Sequence, residues 1–247
     1  HNTEAYSGKL SRFALELVHN INKVTPVTTA SLICISLLSK FSLTKKDIEH
    51  DVLDLMTLIE DENIEALVDR GKPIGESVQK GLRLLKKANI ILQHGTGLTA
   101  KYVLNSNNYL EATYYANMSV HHLYHRAFIE LALLKTLDKK PSQRQSTFWL
   151  EIMRLRSLFK FEFFYSKKEV FSSEIEQVFS VLSPDWNTLI DASKKKKLEF
   201  LKAQKVLLSP VILQTYIEAY RVAANTLQNW SPERKFIEKE FIEECQF

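Results

Sequence analysis

Cysteine and glycine are scarce in this chain. Its 247 residues contain two cysteines, Cys34 and Cys245, and six glycines. So few cysteines exclude a disulfide framework and suit a reducing compartment, and Cys34 lies in an apolar stretch typical of a small core residue. The low glycine content, with many Leu, Ile, Lys and Glu, favours helices. Gly95 and Gly97 belong to a turn between two extended segments, which argues against a nucleotide-binding loop.

Long apolar runs are also missing. No stretch approaches the roughly 18 residues that a membrane-spanning helix requires, and the longest, around residues 32–38, already contains Ser and Cys. Residues 1–8 are polar, lack a signal-peptide pattern and begin abruptly, which we interpret as the start of a truncated chain. We therefore expect any membrane attachment to be peripheral, or to be supplied by sequence outside the chain.

The overall composition is that of a soluble globular protein, with 45% hydrophobic and 25% charged residues. The length allows one large domain or two small ones with a sizeable core. A net charge of +4 permits contact with anionic lipid head groups or acidic partners without requiring it.

Helical periodicity, capping residues and turn residues predict the order of elements in the first half. We expect an N-terminal helix within residues 1–25 that continues from absent upstream sequence, then helices at 30–41, after Thr44 and after Ser77, and two short strands at 90–93 and 101–104. Three helices followed by a hairpin is the order of a winged-helix module, which we place at residues 26–105.

Only helices are predicted from Tyr109 onward. The expected helices cover residues 109–137, 147–160, 211–230 and 233–244. The sequence therefore predicts a mainly α protein, in which a winged-helix-like module with one short β-hairpin precedes a helical bundle at residues 106–247.

Four segments together carry a family resemblance. They read INKVTPVTTASLICISLL at residues 21–38, YYANMSVHHLYHRAFIELALL at 114–134, LRSLFKFEFFYSKKEVF at 155–171 and YIEAYRVAANTL at 216–227. In this order they resemble the C-terminal region of large, PlsB-type glycerol-3-phosphate 1-O-acyltransferases.

The resemblance implies a parent enzyme that moves a fatty acyl group from acyl-CoA or acyl-ACP to the sn-1 hydroxyl of glycerol 3-phosphate, the first committed step of phospholipid synthesis. That parent would act at the cytoplasmic face of a membrane as a peripheral protein. A dihydroxyacetone-phosphate acyltransferase parent stays open as an alternative, because related enzymes share this region.

The catalytic motif of that family is absent from this chain. The family uses a His-x-x-x-x-Asp motif, whose carboxylate orients a histidine base toward the glycerol hydroxyl. None of the seven histidines has Asp five positions later; His125 has Glu130 there, and five positions on a helix turn two side chains about 140° apart. We expect no catalytic residue, metal ligand or cofactor. Either the catalytic half lies outside the chain, or the chain is a non-catalytic relative.

We therefore expect an accessory role. Its expected partner is the catalytic acyltransferase domain of the same protein, with an anionic membrane surface or a second copy of the chain as further candidates.

A cluster of histidines is the first candidate site. His121, His122, His125 and Arg126 lie together in the second segment of the resemblance. His121 and His125, one helical turn apart, could share a metal ion, but no third ligand follows at helical spacing and Arg126 would repel a cation. Ordinary helix histidines are the favoured interpretation.

Two stretches rich in aromatic residues or lysine are candidate contact surfaces. The first contains Phe161, Phe163, Phe164, Lys167 and Lys168, and the second contains Lys194, Lys195, Lys196 and Lys197. For the first, a half-buried strand or a domain interface is favoured over an interfacial membrane contact. For the second, a solvated helix face is favoured over attraction to anionic lipids, which contributes roughly 1 kcal/mol per basic residue.

DNA binding is the remaining alternative, since winged helices include DNA readers. The third helix carries Lys80, Arg83, Lys86 and Lys87, whereas the hairpin offers only His94 and Lys101 and the second helix is acidic. A weakly basic wing favours protein packing, so nucleic acid is not an expected partner.

Overall fold

The computed structural model of the protein describes residues 25–61, 66–67, 73–204 and 206–245, together with residues 13, 14, 17, 20 and 21. The five isolated positions are helical. Most of the helix predicted within residues 1–25 lies outside the described residues.

Short strands and three helices alternate in the N-terminal part. The elements are β1 (Val27–Thr28), α1 (Thr29–Ser39), β2 (Leu43–Thr44), α2 (Lys45–Asp61), β3 (Ala66–Leu67), α3 (Ile74–Lys87), β4 (Ile91–His94) and β5 (Lys101–Leu104). β2, β5 and β4 form an antiparallel sheet in that order, and β1 pairs in parallel with β3. The predicted hairpin is confirmed, whereas the two-residue strands were not predicted.

Local sequence explains where these elements begin and turn. The Thr28 hydroxyl accepts a hydrogen bond from the Ser31 amide, and the Ser31 hydroxyl in turn contacts the Thr28 amide, which forms a capping box at the start of α1. The turn between β4 and β5 contains Gly95 and Gly97 at φ values of 79° and 69°. Other residues adopt this left-handed region at an energetic cost, so glycine suits both positions.

Eight helices make up the described C-terminal part. They are α4 (Tyr109–Val120), α5 (Tyr124–Lys135), α6 (Pro141–Leu158), α7 (Lys168–Leu182), α8 (Trp186–Asp191), α9 (Lys194–Ala203), α10 (Leu208–Gln228) and α11 (Glu238–Cys245). The coarse prediction of a mainly α protein with one hairpin is confirmed.

Three local predictions in this part are wrong, and one of them is the start of the final helix, expected at residue 233 but found at Glu238. The continuous helix expected over 109–137 is interrupted at residues 121–123 by turns in which the amides of His122 and Leu123 bond carbonyls three residues earlier. The helix expected from residue 147 begins at Pro141, because proline is well tolerated in the first helical turn.

α5 lies at the centre of the helical part, with residues 124–130 all buried. It packs against α6, α7 and α10, while α1 packs against α3, α4 and α10. One apolar core therefore runs from Val27 to Leu213. Among the described helices, none is long and apolar enough to cross a membrane.

Candidate functional site

The candidate histidines lie at the junction of α4 and α5. His121 and His122 are half-buried in the turn, with ring centroids 3.8 Å apart, whereas His125 and Arg126 are buried in the first turn of α5. The four candidates are close together in sequence, but the structure places them in different surroundings.

Arg126 is the most constrained of the four. Its side chain is 1% exposed. Its guanidinium donates to Glu130 at 3.3 Å, to Asp54 of α2 at 3.2 Å, and to the carbonyl oxygen of Val206 at 2.5 Å. Arg126 therefore connects α2, α5 and the segment before α10, and its contacts stabilise the packing of these elements.

Glu130 lies on the same helix as Arg126. Together with Asp54 and the Val206 carbonyl, these two side chains form what we call the Arg126 network. The Glu130 carboxylate accepts hydrogen bonds from the amides of Leu208 at 3.1 Å and Ser209 at 2.7 Å, which are first-turn donors of α10. Burial raises the pKa of Glu130, while Arg126 and the two amides oppose that rise. The partner of Glu130 is thus Arg126 and not His125, and the spacing of four residues between Arg126 and Glu130 is the sequence signal that indicates this pair.

His125 faces a second polar group on α7. Its Nε2 atom lies 3.5 Å from a carboxylate oxygen of Glu174, and that same oxygen accepts a 2.8 Å hydrogen bond from the Ser166 hydroxyl. Burial raises the pKa of Glu174, but the hydrogen bonds from His125 and Ser166 outweigh it and leave the pKa below its usual value. His125 and Ser166 therefore both contact the same carboxylate of α7.

Burial lowers the pKa of His122 to about 4, with nearby His121 adding to the effect and a hydrogen bond with the Thr25 backbone opposing it. His122 is therefore a neutral imidazole near pH 7. Within the described ranges, no three His, Cys, Asp or Glu side chains are grouped so that they could hold a metal ion.

The predicted aromatic stretch forms a loop between α6 and α7, residues 159–167, which we call the aromatic loop. It contains turns rather than the strand considered from the sequence. Phe163 is buried against Tyr124 and Tyr216, whereas Phe161 is 74% and Phe164 is 42% exposed. The loop thus presents two phenylalanines outward, while Phe159 and Phe163 belong to the core.

The lysine stretch lies in the first turn of α9, where Lys194, Lys195 and Lys196 are exposed. Lys197 is 0% exposed. Its ammonium group donates to the Thr136 hydroxyl at 2.7 Å, the Thr136 carbonyl at 3.3 Å and the Ile190 carbonyl at 3.1 Å. Burial lowers its pKa to about 8. An ammonium bonded inside the fold cannot face a lipid surface, so the prediction for Lys197 needs correction.

An open groove lies between the first turn of α1 and α3, with a volume of about 630 Å³. Lys45, Lys80 and Arg83 line it together with Glu76. Lys45 already contacts Glu49 at 3.4 Å. The groove is mildly cationic, and nothing in it resembles a built catalytic centre.

The chain matches a known protein family over nearly its whole length. Residues 2–247 match the family model described as the glycerol-3-phosphate acyltransferase C-terminal region. The chain belongs to this family. The resemblance found in the four sequence segments is thereby confirmed over nearly the whole chain.

Curated relatives of this acyltransferase C-terminal region include proteins of Mycobacterium bovis and of two Mycobacterium tuberculosis strains, provisionally named acyltransferase plsB1. Each is 26% identical to the chain over 240 residues, which is 96% of the chain. The chain spans 38% of the length of these relatives. It therefore corresponds to one part of each of these relatives.

Proposed function

We propose that the chain is an accessory region of a glycerol-3-phosphate 1-O-acyltransferase and carries no catalytic group of its own. The family match over residues 2–247 is the observation that carries this proposal. The parent enzyme transfers a fatty acyl group from acyl-CoA or acyl-ACP to the sn-1 hydroxyl of glycerol 3-phosphate, in phospholipid synthesis. A dihydroxyacetone-phosphate parent is not favoured, because the matched family is described by glycerol 3-phosphate.

The residues support an accessory role. No histidine has Asp at the fifth following position, and the buried charged side chains of Arg126 and Glu130 are occupied by contacts that join helices. A general base needs access to the hydroxyl that it deprotonates. The polar groups of this candidate site therefore serve the stability of the region, which in turn supports the catalytic domain at the cytoplasmic face of the membrane.

The N-terminal part would act as a winged-helix-like packing module at residues 26–105. Three helices, a hairpin and the strand order β2-β5-β4 support this assignment. Its face formed by α1 packs against α4 and α10, which argues for a module that binds other protein elements, and fold alone does not imply DNA binding.

Acyl transfer to radiolabelled glycerol 3-phosphate tests the proposal. The isolated chain and the product of the complete reading frame that encodes it would each be assayed in detergent micelles with acyl-CoA and with acyl-ACP. We expect product only from the complete protein. Product from the isolated chain would overturn the accessory role, and His121, His122, His125 and Arg126 would then be the first positions to mutate. An inactive complete protein with both donors would overturn the acyltransferase assignment.

A further inference from the structure

Exposed lysines are grouped at two places in the chain, the start of α9 and the aromatic loop. The lysines at these two places differ in their ion pairs. In the α9 stretch, Lys194 pairs with Asp138 at 2.8 Å, Lys195 lies 3.9 Å from Glu199, and Lys197 is buried. Lys197 is thus withdrawn from solvent and Lys194 has a close acidic partner, whereas the exposed contact between Lys195 and Glu199 is weak. This stretch therefore offers less free positive charge than four consecutive lysines suggest.

The two lysines of the aromatic loop, and Lys168 directly after it, are arranged differently. Lys160, Lys167 and Lys168 are exposed, and among the described residues none of the three has a carboxylate within ion-pair distance. Glu162, the one acid within the loop, accepts a hydrogen bond from the hydroxyl of Tyr220 at 2.5 Å. A hydrogen bond from a neutral hydroxyl leaves the Glu162 carboxylate charged, so the three lysines and Glu162 together give residues 159–168 a net charge of +2.

Exposed aromatic side chains lie within the same nine residues. Phe161 is 74% exposed, and the Lys160 ammonium lies 4.7 Å from the centroid of its ring. Phe164 is 42% exposed. Apolar rings next to aliphatic lysine stems with charged ends are the composition of a surface that lies in a lipid interface.

The aromatic loop is held firmly from below. The Phe159 ring packs near Phe128 and stacks with Tyr220, with centroids 5.9 Å and 6.0 Å apart. Arg156 of α6 donates a 2.6 Å hydrogen bond to the carbonyl oxygen of Ser166 near the other end of the loop. Because both ends are fixed, Phe161 and Phe164 stay outward at little further entropic cost on binding.

The same features disfavour a protein partner at this surface. Lysine is depleted at protein–protein interfaces, whose buried centres exclude charged side chains. Anionic lipids attract each lysine near their surface by roughly 1 kcal/mol. Three unpaired lysines around two exposed rings suit a lipid surface better than a protein surface.

We propose that the aromatic loop, with Phe161, Phe164, Lys160, Lys167 and Lys168, is the surface by which this region binds an anionic phospholipid bilayer. The proposal deepens the proposed function, on whose membrane setting it rests. It assigns lipid contact to the aromatic loop and not to the α9 lysines.

Vesicle co-sedimentation of the full 247-residue chain tests the assignment, with vesicles of equimolar phosphatidylglycerol and phosphatidylcholine and with vesicles of phosphatidylcholine alone. We expect binding to the anionic vesicles that weakens with salt. Substituting both lysines in K167Q/K168Q should weaken it roughly 30-fold, from about 1 kcal/mol per lysine. F161S should weaken it at least about tenfold, since a phenylalanine ring then stays out of the lipid.

Matched controls come from other surfaces of the chain. Phe41 is 94% exposed in the loop between α1 and β2, so F41S removes an equally accessible ring. K194Q/K195Q/K196Q removes more formal charge than the loop variant. Both controls should retain binding within about twofold. Because the substituted positions are exposed, every variant should keep the thermal midpoint of the unsubstituted chain. Measuring that midpoint checks that folding is unchanged.

Two results would overturn the assignment: no binding to anionic vesicles at low salt, or binding that the α9 variant loses and the loop variants keep. Acyl transfer by the complete protein in detergent micelles is a separate readout. If that activity is present while vesicle binding by the aromatic loop is absent, the lipid surface is wrong and the accessory function stands.

Discussion

Replacing Arg126 by methionine removes the central side chain of the Arg126 network and leaves its partners in place. Glu130 would remain buried and would keep the amides of Leu208 and Ser209 and the side chain of Ser209 as donors. Asp54 would lose little, since its side chain is 27% exposed and reaches water. The destabilisation should therefore come from the buried Glu130 carboxylate and, in addition, from the Val206 carbonyl, which loses its Arg126 donor.

The expected size follows from this burial. Breaking a buried ion pair from one side costs about 3–5 kcal/mol of unfolding free energy, because the remaining charge is uncompensated. E130Q in the same protein removes that charge while its side-chain oxygen still accepts an amide hydrogen bond. We expect R126M alone to cost about 3–5 kcal/mol, and R126M/E130Q to be less destabilised than the sum of the single variants by about 1–3 kcal/mol.

Urea denaturation of the 247-residue chain, followed by far-ultraviolet circular dichroism, measures these differences from the midpoint at constant slope. Arg83 is the matched control, because it is exposed on α3, and R83M should change stability by no more than about 0.5 kcal/mol. An R126M cost below about 1 kcal/mol, or strict additivity with E130Q, would show that Arg126 does not compensate a buried charge on Glu130.

Two further predictions concern pH. His122 has a pKa of about 4 in the folded chain, against 6.5 for the free side chain, so between these pH values the unfolded chain binds the extra proton. The free energy of unfolding should therefore fall by up to about 3 kcal/mol as pH decreases from 6.5 to 4. In urea titrations at several pH values, H122L should flatten this part of the profile. Lys197 has a pKa of about 8 in the folded chain, against 10.5 for the free side chain, so between these pH values the unfolded chain binds the extra proton. The free energy of unfolding should therefore gain up to about 3 kcal/mol from this group as pH rises from 8 to 10.5. If stability depends on pH with the same slope in K197M as in the unsubstituted chain, Lys197 is not the group responsible.

Capping and turn residues made much of the secondary structure predictable. Two candidate capping residues before an apolar run, Thr28 and Thr29, and two glycines between short extended segments indicated α1 and the hairpin, and the structure has Thr28 as the cap. The break at residues 121–123 was not predictable in this way, because it contains neither proline nor glycine. It depends on how α4 packs against α1 and α5 against α6 and α10.

The candidate site was harder to predict because burial depends on distant contacts. Arg126 contacts residues 72 positions before and 80 positions after it, and Lys197 bonds to Thr136, 61 positions away. Local sequence presents both as ordinary basic residues of amphipathic helices. A run of four lysines gives no indication that the last one faces the core, since that depends on the packing of α9 near α5 and α8.

The packing across the predicted boundary at residue 105 has a consequence for cutting the chain. Ser31 of α1 and Ser119 of α4 share a buried 2.6 Å hydrogen bond, Arg126 reaches back to Asp54, and α10 packs on α1. Yet Ser106 and Asn107, between β5 and α4, are exposed. A chain cleaved there has two pieces that each hold part of one core, so neither should fold alone and both should reassemble when mixed. This exposed turn is therefore a natural position for a split-protein reporter of the folded region.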